Sequence, residues 1–90
     1  MVKEKPKSFS NSEEELVDKH ELILYNDDVN TFDFVIETLV ELCEHDPLSA
    51  EQCALIVHFK GKCAVKSGDL YELKPIEEEM SLRGLTVSIN

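Results

Sequence analysis

From Leu22 the apolar residues run unbroken to Tyr25 and then stop at Asn26-Asp27-Asp28. A short continuous run closed by turn-forming residues predicts a strand over Glu21–Tyr25, buried on at least one face. Beyond the loop the period lengthens. Phe32, Val35, Ile36, Leu39, Val40, Leu42 and Cys43 recur at helical spacing, with Glu37, Glu41 and Glu44 on the opposite side. That spacing predicts an amphipathic helix. Asn30 is its expected cap, and Asp33 stands in the return position of a capping box. Asp46-Pro47 is expected to end it, because the proline ring disfavours helical geometry in the residue before it.

A second helix is predicted to start at Ser49, with Gln52 as the return partner of its cap. Cys53, Ala54, Ile56 and Val57 supply its apolar side, His58 follows, and Gly61 is placed to end it. Lys62–Lys66 reads as a short strand and Ser67-Gly68 as a turn. Asp69 opens a third helical stretch, with Glu72 in the capping-box place and Leu73, Ile76 and Met80 on one face. Pro75 cannot donate to the helical ladder, so either this helix kinks or its regular part begins near Pro75. Gly84 closes it, and Leu85–Ile89 alternates as a last strand. The order is β-α-α-β-α-β.

Residues 1–20 mix Lys, Ser, Glu and Pro with little apolar content and read as a flexible arm, with room for a helical turn over Glu13–Val17. Residues 21–90 are then the single folded domain. The arm does not carry the charge: residues 1–19 hold four Lys and five acids, and residues 20–90 hold five basic and fourteen acidic residues of a net −10. Such a domain repels phosphate backbones and anionic lipid, which argues against nucleic-acid and membrane partners. It suits a cationic partner or plain solubility. Cys43, Cys53 and Cys63 form no CxxC pair and read as buried thiols, small hydrophobes rather than metal ligands. No apolar run reaches the length of a signal core or a membrane span, so the expected setting is a reducing cytoplasm.

The candidate chemistry lies at the end of the first strand. Asn26 and Asp27 offer an amide oxygen and a carboxylate, and His58, on the second helix, offers a neutral imidazole nitrogen. All are acceptors. A peptide α-ammonium presents three donors and no acceptor, and an acidic surface favours it. The competing reading of the same residues is a capped turn and a half-buried histidine satisfied locally.

YNDDVNTFDFV (Tyr25 to Val35), followed downstream by ALIVHFKGK (Ala54 to Lys62), resembles the ClpS family, the adaptors of the bacterial N-degron pathway. The resemblance runs from about Glu21 to Asn90. It implies a small α+β fold, a two-layer α/β sandwich of a three-stranded antiparallel sheet and three helices. It implies a non-enzymatic, cofactor-free adaptor. Such an adaptor binds proteins that begin with Leu, Phe, Tyr or Trp and hands them to a ClpA- or ClpC-like AAA+ unfoldase with ClpP. The family's α-amino-binding positions are Asn26, Asp27 and His58 here. Asp28 and Asn30 fall where the loop meets the substrate backbone, and Phe32, Val35, Ala54, Val57 and Leu85 where the first side chain is held. The unfoldase contact falls near Tyr71, Glu72 and Lys74, and the arm is expected to engage the unfoldase pore. A monomer is expected.

Departures from the family pattern affect two places. Many members have Thr-Pro-Met where this chain has Asn30-Thr31-Phe32, and Met where it has Ala54. Phe32 is therefore expected to fill space that Ala54 leaves, with a shifted preference among first residues. The Glu and Lys of the unfoldase contact fall ungapped on Tyr71 and Ile76, with Glu72 and Lys74 displaced beside them. Other readings remain. One is an interaction domain of this fold that does not read N-termini, as the structurally similar C-terminal domain of the ribosomal stalk protein illustrates. Another is calcium on Asn26-x-Asp28-x-Asn30 with Glu37, which lacks the central Gly and the preceding helix of an EF-hand. A zinc site from Cys43, His45, Cys53 and His58 has poor spacing, and a Cys63–His58 nucleophile pair has no orienting group.

Overall fold

A computed structural model of the chain describes residues 19–90. The arm expected over 1–20 and the turn over Glu13–Val17 therefore lie almost wholly outside the described residues; His20 already belongs to the first strand. The elements are β1 (His20–Tyr25), α1 (Phe32–Cys43), α2 (Pro47–Lys60), β2 (Lys62–Gly68), α3 (Leu70–Leu82) and β3 (Thr86–Ile89). The strands form one antiparallel sheet in the order β2-β1-β3. The architecture is the three-stranded, three-helix α+β arrangement that the sequence implied.

β1 occupies the centre because it is the most apolar strand. Its Leu22 and Leu24 point to one face and join the core, while Ile23 points to the other and is shielded by the flanking strands. Leu39 and Cys43 of α1, Ala50 and Val57 of α2, and Leu73 and Met80 of α3 close over that inner face. Val65 is the extra residue of a bulge in β2 opposite Leu22 and Ile23, and it is buried in the same cluster.

The helix starts differ from two of the three sequence expectations. Thr31, not Asn30, caps α1, its Oγ1 accepting from the Phe34 N–H at 3.0 Å. Asn30 is drawn away because its side chain is committed elsewhere, as described below. Asp46, not Ser49, caps α2, accepting from Ser49 N–H at 2.8 Å, so Pro47 opens that helix rather than closing the previous one. Helix α1 ends earlier, at Cys43, where Glu44 takes a left-handed φ of 62°. Asp69 caps α3 as expected, at 2.8 Å from the Glu72 N–H. With the first turn fixed there, Pro75 sits inside the helix, not at its start. It forgoes the bond to the carbonyl of Tyr71, an exposed residue. At the far end Gly84, at φ 89°, donates to Ser81 O and Leu85 N–H reaches Met80 O, a Schellman closure that turns the chain into β3.

Candidate functional site

Pairing within the sheet brings the two sequence motifs together. β1 and β2 run antiparallel with Tyr25 opposite Lys62, and one step further the Asn26 N–H donates to Gly61 O at 2.9 Å. Gly61 ends α2, at φ 97° and with its N–H on Val57 O. The end of β1 is thus tied to the end of the helix that carries His58.

The loop from Asn26 to Thr31 is held by its own side chains. Oδ1 of Asp27 accepts from the N–H groups of Val29 and Asn30, each at 2.8 Å, and Oδ2 accepts from Asn30 Nδ2 at 2.8 Å. Asn30 Nδ2 also donates to Gly84 O at 2.9 Å, which pins the loop to the turn before β3. Partial desolvation raises the Asp27 pKa, but the hydrogen bonds from Asn30 and Val29 outweigh it and leave the carboxyl below its ordinary value.

Asn26, Asp27, Asp28, Asn30, Phe32, Val35, Ala54, Val57 and His58 line one open hollow of about 430 Å³. Its rim is polar on the β1 side and at His58; its walls are Phe32 and Val35 from α1 and Ala54 and Val57 from α2. Phe32 is 38% exposed, whereas Ala54 and Val57 are buried. Leu85 stands apart from this group: it is only 5% exposed, inside the core cluster, and not in the lining. Of the five positions expected to hold the first side chain, Leu85 alone is a core residue outside the lining of the hollow. Tyr71, Glu72 and Lys74 lie on the first turns of α3, with Tyr71 94% exposed beside a shallow apolar hollow formed with Leu70, Lys74 and Pro75.

Sequence reasoning missed the structural task of Asn30 and Gly84, because nothing local pairs residues so far apart. It also missed Phe59, whose ring meets the His58 ring edge-on. Burial pushes the Cys43 thiol up to about 11, and burial together with the neighbouring Cys63 thiol does the same to Cys53. Cys43 is buried as expected, but Cys53 and Cys63 are only half-buried. Among the described residues no group of three or more His, Cys, Asp or Glu side chains is arranged to hold a metal, and no helix is long and apolar enough to cross a membrane.

A family model described as "ATP-dependent Clp protease adaptor protein ClpS" matches residues 15–84. The chain belongs to the ClpS family. Curated ClpS adapter proteins from several bacteria align with it. That of Hydrogenovibrio crunogenus is 34% identical over 61 residues, covering 66% of this chain and 59% of the relative. That of Nitratidesulfovibrio vulgaris is 36% identical over 55 residues, covering 59% and 55%. That of Edwardsiella ictaluri is 40% identical over 57 residues, covering 61% and 54%. The matched stretch thus spans little more than half the length of these relatives. Among solved structures, Agrobacterium tumefaciens ClpS2 bound to L-phenylalaninamide superposes with a TM-score of 0.69 over 81% of this chain and 95% of that one, at 16% identity. At that identity the likeness is one of ClpS fold.

Proposed function

We propose that this ClpS-family chain captures proteins that begin with a bulky hydrophobic residue and delivers them to a Clp AAA+ unfoldase with its ClpP protease. One observation carries the reading: acceptors and apolar walls meet around a single hollow, with Asn26, Asp27 and His58 at its rim and Phe32, Val35, Ala54 and Val57 inside it. Its volume, about 430 Å³, sits near the lower end of ligand-sized clefts, roughly 300–1,000 Å³, which suits one residue rather than a length of peptide. The ligand of Agrobacterium ClpS2 has matching chemistry, since L-phenylalaninamide is a free α-ammonium, a benzyl side chain and one amide in place of the following peptide bond.

In this reading the substrate's ammonium donates to Asn26 Oδ1, to Asp27 and to a neutral His58 nitrogen. Of the carboxylate's four lone-pair directions, three already receive loop donors, so Oδ2 of Asp27 has one left for the ligand. The first side chain enters the apolar part, a burial worth roughly 1.5–3 kcal/mol for Leu or Phe. Together with charge-assisted bonds this supports micromolar affinity, about −8 kcal/mol. Tyr71, Glu72 and Lys74 are the proposed unfoldase contact.

Fluorescence titration with peptides that differ only at the start tests the site. Free-amine peptides beginning Phe or Leu bind. Acetylation removes the charge and two donors, and weakens binding by at least about tenfold for each charge-assisted bond lost. Affinity also falls above about pH 8, where the α-ammonium deprotonates. Equal binding of the acetylated peptide overturns the reading. The ranking of Phe, Leu, Tyr and Trp peptides, compared between the parent and Ala54→Met, tests whether Phe32 and Ala54 set the preference; an identical ranking removes that idea.

A further inference from the structure

Phe59 is a large apolar side chain that the core does not use: it is 74% exposed, one residue past His58 near the end of α2. Consecutive helical residues project about 100° apart and do not ordinarily face each other. Here the two rings nevertheless approach to 4.8 Å between centroids, with an interplanar angle of 80°. This is the edge-on geometry that aromatic quadrupoles favour. The other two histidines are held by hydrogen bonds, His20 Nδ1 with Asn90 O at 3.2 Å and His45 Nε2 with Val65 O at 2.6 Å. Among the described residues no such bond reaches His58, which is exposed at the rim of the hollow. An exposed imidazole held by nothing would sample several rotamers and would have to be ordered when a ligand arrives.

We infer that Phe59 is a positioning residue, whose ring holds the His58 imidazole in the rotamer that lines the hollow. The inference rests on the reading of the site given above, and it assigns Phe59 no contact with the first residue of the substrate. A competing role, an apolar surface for the substrate's second residue, makes a different prediction for a ligand that has no second residue.

L-Phenylalaninamide is therefore the probe, titrated against the parent protein and against Phe59→Tyr, Phe59→Leu and Phe59→Ala. The Tyr variant keeps the ring and retains parental affinity. The Leu and Ala variants lose about 2- to 10-fold, the range expected for one edge-on aromatic pair. In the ligand-free protein, NMR shows ring-to-ring NOEs and a single χ1 rotamer for His58 in the parent and the Tyr variant, and rotamer averaging in the Leu variant. Parental affinity in Phe59→Leu, loss in Phe59→Tyr equal to that in Phe59→Ala, or an averaged His58 in the free parent each overturns the assignment. Failure of the parent to bind the probe at all counts against the function proposed above, whereas the free-protein NMR still decides the role of Phe59.

Discussion

At the scale of single residues, Asp27 does two things at once. It organises its own loop through three hydrogen bonds, and it lines the hollow, where the function proposed above gives the remaining lone pair of Oδ2 to the substrate's ammonium. The same bonds keep its carboxyl below the ordinary value of 3.8. A depressed folded pKa means that the ionised group stabilises the loop at every pH above that value, and that the contribution disappears as pH falls through the folded pKa. The amide resonances of Val29 and Asn30 should therefore stay fixed through neutral pH and titrate in acid with a midpoint below 3.8. A midpoint above 3.8 would show that the carboxyl is not held as described. Asp27→Ala is correspondingly expected to loosen the loop as well as to abolish amine capture, so a lowered melting temperature should accompany the lost binding. Substituting Asn30 should have a related effect, because its one amide nitrogen spans from Asp27 to Gly84 O.

At the scale of elements, the helices were legible from their apolar period, but their starts were not. Asn30-Thr31 and Asp46-x-x-Ser49 each offer two capable caps, and local propensity barely separates Asn, Asp, Ser and Thr. The choice falls on the residue that stands where the chain turns into the helix axis; at α1 the neighbour, Asn30, is engaged by Asp27 and Gly84. Thr31→Ala should therefore cost about 1 kcal/mol of unfolding free energy. Ser49→Ala, inside the first turn of α2, should stay within about 0.5 kcal/mol of the parent. Chemical denaturation measures both, and the reverse order would restore the assignment that the sequence suggested. Helix α2 also shows why its period was hard to read. Its core face is Ala50, Ala54 and Val57, yet Leu48, Leu55, Ile56 and Phe59 are exposed. A helix apolar on several sides does not announce which side is buried.

At the scale of the whole molecule, a small core tolerates little waste, and among the described residues Thr38 is the one polar residue whose side chain is buried. Its Oγ1 has no hydrogen-bond partner among the described residues. An unsatisfied buried hydroxyl costs about 1–3 kcal/mol, so replacement by a group of the same shape should help. Thr38→Val is predicted to raise stability by about 1 kcal/mol, which for a domain this small is a melting-temperature gain of roughly 4–8 °C by calorimetry. A loss of stability would mean that the hydroxyl is bonded after all. By itself the sequence determined the element order and the acceptor-rich loop after β1, because short-range periods and turn chemistry are written into a few neighbouring residues; that this loop works with the downstream histidine motif was implied only by the resemblance to the ClpS family. Only the tertiary structure decided that β1 is the central strand, that Leu85 belongs to the core cluster and not to the lining of the hollow, and that Asn30 clasps Gly84 while Thr31 caps. These depend on which faces are buried against which, and on bonds such as Asn26 N–H to Gly61 O that join residues far apart in the chain. No local window contains both partners of such a bond.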